Sequence, residues 1–391
     1  MQINNLRIIN IAGIHELSLT FNRQMNIICG PNGIGKTTIL ECIAHSCSYS
    51  GGKILKRRAD SATGEILISL HKDKARPLIN RTIRVTAFEP SESTNSTDFD
   101  NDVIKNLLSL KIERTFTHKE LSSVSRDAVK SISGVSSTNI SGVTVSDVKN
   151  WFVNRYLYSA HANALTPVQL SNLEHSRTFF SLLNSKFQFS HVDASSNEII
   201  IDTPAGKIFY EYLSAGFKSI LSILFGVTKE IEFRFKNESI KIEEFNGVVL
   251  IDELELHLHP EWQAHIVEVL KKAFPCAQFI VSTHSPHIIQ TASPDEIIAL
   301  IQDDNVVIQK EMTSGKYGFQ GWSIEEILMD IMGMSDTRTS TYHEALLTFQ
   351  SAVANDNYEL ASFAFNQLDE MLHPQNHQRK LFAFQLGALK G

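Results

Sequence analysis

Residues 29–40, CGPNGIGKTTIL, combine the residue types and the spacing that bind a nucleoside triphosphate. The four fixed positions of G-x-x-x-x-G-K-T are occupied by Gly30, Gly35, Lys36 and Thr37. Glycines let the backbone curl so that successive N–H groups point at phosphate oxygens, and the following helix adds the positive end of its dipole. In this motif the lysine reaches the β- and γ-phosphates, and the threonine hydroxyl binds Mg²⁺. The sequence therefore predicts a P-loop.

The residues around this loop supply the context that a P-loop needs. MNIIC, residues 25–29, is a short apolar run that predicts a strand. Ile39, Ile43 and Cys47 then follow with helical spacing. A strand, a glycine loop and a helix in this order favour a P-loop over an accidental glycine-rich turn.

Two adjacent carboxylates follow a second apolar run, in GVVLIDELELHLHP at residues 247–260. Val248 to Ile251 predict a buried strand that delivers Asp252 and Glu253 at its carboxyl end, the edge where open α/β sheets bind ligands. Asp252 suits the Mg²⁺ shell, and Glu253 suits a general base that polarises the attacking water. Taken alone, this pattern also fits an ordinary exposed strand end. Downstream of a P-loop in the same chain, it indicates a hydrolase.

A third apolar run, AQFIVSTHSP at residues 277–286, ends in Ser282, Thr283 and His284. From this position His284 could touch a γ-phosphate and report its presence, held by the two hydroxyl residues before it. A lone histidine after a strand is more often a satisfied core or loop residue. The role of His284 therefore depends on the rest of the site.

A fourth stretch, YLSAGFKSILSIL at residues 212–224, contains an L-S-x-G run that leads into an apolar helix. The simple interpretation makes Ser214 the N-cap of that helix. The functional interpretation makes the helix N-terminus an anion site, at which Ser214 and backbone N–H groups meet a phosphate. The order of motifs along the chain favours the second interpretation.

These four motifs, in this order, resemble those of ABC-type ATPases. The patterns DExExHLHP and STHSP are similar to those of the soluble branch that includes the SMC, RecF and OLD-type proteins. The resemblance covers about residues 1–301. It implies an α/β fold, a P-loop NTPase head with a divergent inserted α-helical region and a C-terminal helical hairpin. It also implies that two heads close around ATP and Mg²⁺, so that hydrolysis opens the clamp, with slow and regulatory turnover.

The resemblance assigns a role to each matching residue. In one chain, Lys36 binds phosphate, Thr37 and Asp252 hold Mg²⁺, Glu253 is the base and His284 is the switch. Ser214 and Gly216 act on the ATP of the opposite chain. The residues assigned to ATP binding are Gly30, Pro31, Asn32, Gly33, Gly35, Lys36, Thr37, Thr38, Ser214 and Gly216.

The chain departs from the family pattern at two places, and one further pair of residues has two interpretations. The family usually has a glutamine near Mg²⁺ and the lytic water, yet no glutamine lies between Gln24 and Gln169, and a residue of Tyr156 to Leu165 is the candidate replacement. Leu254 stands where proline is frequent. His257 and His259 could form a metal pair, but H-x-H before a proline is also part of the family loop near the dimer seam.

The motifs divide the chain into an N-terminal lobe of the head at 1–50, an insertion at 51–208, the rest of the head at 209–301 and a mostly helical extension at 302–391. Residues 1–21 predict two strands, LRIINIAG and ELSLTF, beside the P-loop strand. In the insertion, Lys53 to Arg84 is basic and could be a nucleic-acid surface or a solvated loop. Residues 89–102 and 122–146 predict loops around a helix near Val103 to Arg114.

The C-terminal extension predicts three helices, the first two forming a hairpin joined near residues 355–357 and the third spanning about 375–389. The apolar face of the first comprises Tyr342, Ala345, Leu346, Phe349, Ala352 and Val353. That of the second comprises Leu360, Phe363, Ala364, Leu368, Met371 and Leu372. Packing within the chain and docking of a partner fit these faces equally well.

An ABC head without a coiled-coil arm and with a short helical tail is similar to the ATPase subunit of Septu-type antiphage defence (PtuA-like) and to the ATPases of some retrons. Asp303 and Asp304 alone are too few for a two-metal nuclease site. Any cleavage would therefore come from a partner, which in the Septu case is an HNH nuclease. Two alternatives remain, a DNA-repair or DNA-clamping ATPase of the RecF/SMC type and a transporter-associated subunit. The missing glutamine and the HLHP loop disfavour the transporter.

Composition sets limits on these hypotheses. The chain has 391 residues, 42% of them hydrophobic and 20% charged, which is typical of a globular protein of two or three domains. A net charge of −7 argues against a uniformly basic nucleic-acid binder but allows a local patch. The four cysteines form no C-x-x-C pair, and the sequence has no apolar run of membrane-spanning length. We therefore expect a cytoplasmic protein.

Overall fold

The structure is a computed structural model, and it describes residues 1–49, 51–72, 77–94, 100–112, 121, 123–145, 147–304, 306–312 and 315–389. The chain folds into two compact units, the first spanning Met1–Gly333 and the second Met334–Gly391. We number the elements in chain order.

The strands all belong to the first unit. They are β1 Gln2–Ile11, β2 Ile14–Thr20, β3 Met25–Cys29, β4 Gly64–His71, β5 Ile79–Val85, β6 Leu107–Leu110, β7 Gln188–Val192, β8 Ile199–Thr203, β9 Gly206–Phe209, β10 Val248–Ile251, β11 Gln278–Ser282, β12 Ile297–Asp303 and β13 Val306–Gln309.

The helices lie in both units. They are α1 Lys36–Ser46, α2 Asn101–Lys105, α3 Ile132–Ser141, α4 Val148–Ser159, α5 Pro167–Leu183, α6 Ala215–Arg234, α7 Pro260–Gln263, α8 Ile266–Ala273, α9 Pro286–Thr291, α10 Ile324–Glu326, α11 Ser340–Ala354, α12 Tyr358–Met371 and α13 His377–Ala388.

The central sheet has the order β13-β12-β3-β11-β10-β6, and its five strands from β12 to β6 run parallel. Every residue of β3, β10 and β11 is buried, as expected for parallel strands that are covered on both faces. The strands predicted from MNIIC, VVLI and QFIVS are therefore confirmed. Since they run parallel, the residues that follow them emerge at the same edge of the sheet.

The N-terminal strands form a second sheet with the order β2-β1-β4-β5, all antiparallel. The prediction of two strands in this region is confirmed, but their predicted position beside the P-loop strand is wrong. The neighbours of β3 are β11 and β12. The predicted insertion supplies β4 and β5 to this sheet and β6 to the central sheet, so it carries strands as well as helices.

Two further local predictions in the insertion are wrong. In place of a single helix near residues 103–114 the chain forms the short α2 and then β6, because the Leu107–Leu110 run pairs with β10 in register. Arg114 lies outside the described residues. Within the predicted loop of residues 122–146, α3 begins at the N-cap Ser131, whose hydroxyl accepts from the N–H of Gly134 at 3.1 Å.

The long helix α6 is the centre of the larger hydrophobic core, where it packs against α4, α5 and α8. A buried ionic cluster joins these helices. Arg155 Nε donates to Glu232 Oε2 at 2.8 Å, Trp151 Nε1 donates to the same oxygen at 2.9 Å, and Asn172 donates to the other oxygen at 3.2 Å. The remaining guanidinium nitrogens of Arg155 pair with Asp127. Burial raises the pKa of Glu232, so the carboxylate depends on these donors.

The second unit contains α11, α12 and α13, which confirms the helical hairpin and the third helix. The predicted face of α11 is buried at Tyr342, Ala345, Phe349 and Ala352. On α12 the prediction is partly wrong, because the buried residues are Ala361, Ala364 and Leu368, whereas Leu360, Phe363 and Met371 are exposed. Small alanine side chains let the backbones of α11 and α12 approach closely. Among the described residues, no helix has the length and apolar character needed to cross a bilayer.

Replacing Arg155 by Met should destabilise the first unit, because Glu232 would lose the one charged partner that the described residues give it inside the core. We expect a loss of about 3 kcal/mol in the free energy of unfolding, measured by chemical denaturation. Lys272→Met is the matched control, since the Lys272–Glu268 pair is exposed and should contribute less than about 1 kcal/mol. Equal effects of the two substitutions would contradict a structural role for the buried cluster.

Candidate nucleotide-binding site

The P-loop connects β3 to α1 through three glycines with positive φ. The φ angles are 142° at Gly30, 76° at Gly33 and 106° at Gly35, values that residues with a Cβ rarely adopt. A Cβ at Gly30 would lie 2.4 Å from the carbonyl oxygen of Leu300 in β12. The fixed glycines of the motif are therefore required by backbone geometry and by contact with the neighbouring strand.

Lys36 begins α1, and its side chain folds back over the loop. Its ammonium donates to the carbonyl oxygens of Gly30 at 2.8 Å and Pro31 at 2.9 Å. The residue is 5% exposed, and burial lowers the pKa of Lys36, while the nearby acidic groups, Glu255, Asp252 and Glu253 among them, act in the opposite direction. The lysine is thus placed at the phosphate-binding loop in a strongly acidic environment. Asn32 and Gly33 are exposed at the tip of the loop.

Asp252 stands where β10 ends, and it links two other motifs. Thr37 donates its hydroxyl to the two carboxylate oxygens of Asp252 at 3.1 and 3.2 Å, and Ser282 donates to Oδ1 at 2.5 Å. A hydroxyl and a carboxylate at this separation are the hard oxygen donors that Mg²⁺ prefers. Thr37 and Asp252 therefore fit the metal-binding pair that the sequence predicts.

Glu253, the predicted base, has a left-handed backbone with φ 49°. This conformation is uncommon for a residue with a side chain and is maintained only where neighbours fix it. Its backbone N–H donates to Ser282 Oγ at 2.8 Å, so Ser282 accepts from Glu253 and donates to Asp252 at once. One serine of β11 thus holds both carboxylate residues of β10 in place.

Glu255 is a site residue that the sequence reasoning missed. Its two carboxylate oxygens accept from the Thr283 hydroxyl at 2.6 Å and from the backbone N–H of His284 at 2.5 Å. Ser285 N–H donates in turn to Thr283 Oγ1 at 3.0 Å. Glu255 therefore fixes the segment that carries His284 to the loop after β10. The repeated acidic residues of DELE were the available signal.

The structure does not bring the L-S-x-G run into contact with the P-loop of the same chain. Ser214 is exposed at the start of α6 and caps it, accepting from the N–H of Phe217 at 3.3 Å. The simple N-cap interpretation is therefore realised in the structure. Gly216 lies against residues 257–262, where an added Cβ would be 3.3 Å from Trp262 and 3.6 Å from the carbonyl oxygen of His257.

Two stretches that the sequence analysis considered for the metal site make other contacts in the structure. His259 caps the short α7 through its Nδ1. The described residues contain no group of three or more His, Cys, Asp or Glu side chains that could hold a metal ion. Residues 156–165, the candidate replacement for the family glutamine, close α4 and lead to α5, with Tyr156 packed on Phe189 at 5.1 Å between ring centroids.

Comparison with known proteins agrees with this geometry. A family described as "AAA domain" matches residues 5–246, and one described as "AAA domain, putative AbiEii toxin, Type IV TA system" matches residues 209–290. Septu protein PtuA of Bacillus thuringiensis is 40% identical over 388 residues, which are 98% of this chain and 97% of that protein. The chain belongs to the Septu PtuA family.

Other relatives match shorter parts of the chain. The probable ATPase of retron Ec83 from Escherichia coli is 37% identical over 26% of this chain and 18% of that protein. RecF of Francisella tularensis is 39% identical over 19% of this chain and 25% of that protein. The solved SMC head domain of Thermotoga maritima covers 80% of this chain and 100% of its own at 14% identity, with a TM-score of 0.44. The family described as "AAA domain" matches more than half of the chain, so the chain contains an AAA domain.

Replacing Glu255 by Gln should slow ATP turnover without abolishing ATP binding. The amide keeps the shape of the side chain, but its NH₂ group faces one of the two donors, so the His284 segment shifts. We expect kcat to fall by up to about 100-fold, measured as phosphate release. Thr283→Val removes only one of the two hydrogen bonds and should have a smaller effect. Full turnover in folded Glu255→Gln would show that the contact is only structural.

Proposed function

We propose that this chain is the ATP-binding and ATP-hydrolysing regulatory subunit of a cytoplasmic antiphage defence complex, that it dimerises around ATP and that it controls a partner nuclease. The observation that carries the proposal is the joint placement of Thr37, Asp252, Ser282 and Glu253 by hydrogen bonds of 2.5 to 3.2 Å in a member of the Septu PtuA family. It supports nucleotide hydrolysis as the chemistry of the site.

The chemistry follows from these placements. Lys36 exchanges its two carbonyl acceptors for phosphate oxygens, which are stronger acceptors because they are charged. Thr37 and Asp252 hold Mg²⁺, which supplies charge neutralisation on the β- and γ-phosphates when bound. Glu253 orients the attacking water and accepts its proton. His284 contacts the γ-phosphate side of the site, with its backbone fixed by Glu255.

Dimerisation would complete the site. Ser214 and Ala215 are exposed at the N-terminus of α6, which presents free N–H groups and the positive end of a 20-residue helix. In a head-to-head pair this surface would meet the triphosphate of the opposite chain. Gly216 packs on residues 257–262, so the loop after the catalytic carboxylates would reach the same interface. ATP would then join the two heads, and hydrolysis would release them.

Control of a partner is supported by what the chain carries beyond the ATPase site. In this proposal nucleic-acid cleavage belongs to another subunit, such as an HNH nuclease; the described residues contain no group of three or more His, Cys, Asp or Glu that could hold a metal ion. The second unit exposes Leu347, Phe363, Leu381 and Phe384, each more than half accessible. Exposed apolar side chains of this size are typical of interaction surfaces.

A DNA-repair or DNA-clamping ATPase is the second candidate, favoured by the match to RecF. The structure weakens its proposed surface at Lys53 to Arg84. Arg81 is buried and donates to Ser46, Arg58 pairs with Asp60, Lys72 pairs with Asp100 and Asp102, and Lys56 donates to two carbonyl oxygens. Most described cations of this stretch therefore serve contacts within the chain, although Lys53 is exposed. Residues 73–76 lie outside the described part.

Glu253→Gln should bind Mg·ATP and accumulate as a dimer. Loss of the base slows hydrolysis by roughly 10²- to 10⁴-fold, so the ATP-bound state persists. Size-exclusion chromatography with light scattering, with and without ATP, measures the shift. Lys36→Ala is the control, because it should lose nucleotide binding and stay in the nucleotide-free state. A Glu253→Gln protein that binds ATP without any change of assembly would exclude the ATP-joined dimer.

Purification from the native operon, with the neighbouring genes intact, tests the partner. We expect a nuclease to co-elute with the chain and to be identified by mass spectrometry. The matched sample carries Lys36→Ala, which separates nucleotide-dependent from constitutive association. If the chain elutes alone and DNA stimulates its ATP turnover in a salt-dependent way, the DNA-clamping function replaces the defence function.

A further inference from the structure

Lys111 and Glu41 form an ion pair beside the predicted metal-binding residues. Lys111 directly follows β6, whose Leu110 is opposite Ile251 of β10. The backbone N–H of Asp252 donates to the carbonyl oxygen of Leu110 at 3.0 Å. Lys111 and Asp252 therefore leave neighbouring parallel strands at the same level, on the edge that carries the nucleotide site.

Glu41 comes from the other side of the site. It lies on α1 one helical turn after Thr37, so the two side chains share a face of the helix. Glu41 is 2% exposed, and one of its oxygens, Oε1, accepts from the ammonium of Lys111. Burial raises the pKa of Glu41, Lys111 lowers it, and the charge of Asp252 raises it further. Glu41 therefore shares a helix face with Thr37, whose hydroxyl donates to Asp252.

The other oxygen of Glu41, Oε2, is buried, and no donor reaches it from the residues that the structure describes. Burying a carboxylate oxygen without a donor costs free energy of folding, so such groups usually have a functional reason. His45, one turn further along α1, does not compensate the charge, since burial and then Lys111 lower its pKa to about 4 and keep it neutral. Lys111 and Glu41 therefore form a pair of one positive and one negative charge. Glu41 Oε2 remains an acceptor without a donor among the described residues.

The position of Lys111 is fixed by its own surroundings. A Cβ on Gly142, where φ is +100°, would lie 2.7 Å from Lys111 Cγ, so only glycine leaves room for the lysine stem. Val143 N–H donates to the carbonyl oxygen of Ser109 at 2.8 Å, which holds the segment after α3 against β6. The lysine is thus clamped between this segment and Glu41.

We propose that Glu41 is an outer acceptor for a water bound to the site's Mg²⁺, and that Lys111 is the positioning residue that orients it. The inference rests on the proposed function, because it needs Mg·ATP at Thr37 and Asp252. Mg²⁺ keeps several waters when it binds with a nucleotide, and those waters donate to nearby carboxylates. Because the Lys111 ammonium already donates to Glu41 Oε1, Oε2 is the oxygen that accepts from the water. The pair also ties the metal site to the segment that follows α3.

Glu41→Gln tests this directly, since Lys111 would keep the amide oxygen and turn the NH₂ group, a donor, toward the position of the acceptor. With Mn²⁺ as the paramagnetic probe and ATP present, we expect metal affinity measured by electron paramagnetic resonance to fall roughly 10- to 100-fold. ATP binding in the presence of EDTA should stay at the wild-type level. A folded Glu41→Gln protein with wild-type Mn²⁺ affinity would overturn the inference.

Two further variants separate this role from a structural one. Lys111→Met with Glu41→Gln removes the pair without leaving a buried charge, and it should show the same loss of metal affinity even if Glu41→Gln alone does not fold. Lys271→Met with Glu296→Gln removes a comparable pair elsewhere and should leave metal affinity unchanged. Wild-type Mn²⁺ affinity in the first double variant would overturn the inference alone. A wild-type chain that binds no Mn²⁺·ATP would overturn the proposed function as well.

Discussion

The nucleotide site depends on the parallel alignment of β3, β11 and β10. Their carboxyl ends meet at one edge, and the hydrogen bonds of Asp252 to Thr37 and Ser282 join three segments that are more than 200 residues apart at the extremes. No single motif forms this arrangement, because each contributes only one or two polar groups. The register of the strands places them within hydrogen-bonding distance.

Charge balance is the second constraint on this edge of the sheet. Lys36 lies among Asp252, Glu253 and Glu255. Lys111 pairs with Glu41, which lies on α1 one turn after Thr37. Buried charges are tolerated when they are paired, and in a low-dielectric site they act strongly on each other and on a bound anion. Glu41 holds Lys111 by an ion pair, whereas Lys36 is held by the carbonyl oxygens of Gly30 and Pro31, with which a triphosphate would compete.

The two units of the chain differ in what they carry. The first unit contains the sheet edge, the buried helices that support it and the exposed start of α6. The second unit buries a core of mostly small and aromatic side chains, and leaves larger apolar ones exposed. The similarity to PtuA of Bacillus thuringiensis extends over 98% of the chain and so includes this second unit.

The sequence by itself determined the P-loop, the strand that ends in Asp252 and Glu253, the strand before His284 and the helical C-terminal unit, because these depend on local spacing and apolar periodicity. Only the tertiary structure showed that β1 pairs with β2 and β4 instead of β3, that the predicted helix contains β6, that Glu255 holds the His284 segment and that Lys111 pairs with Glu41. Strand partners and buried ion pairs join residues that are distant in the chain. Short apolar runs carry no signal of which strand or charge they will meet.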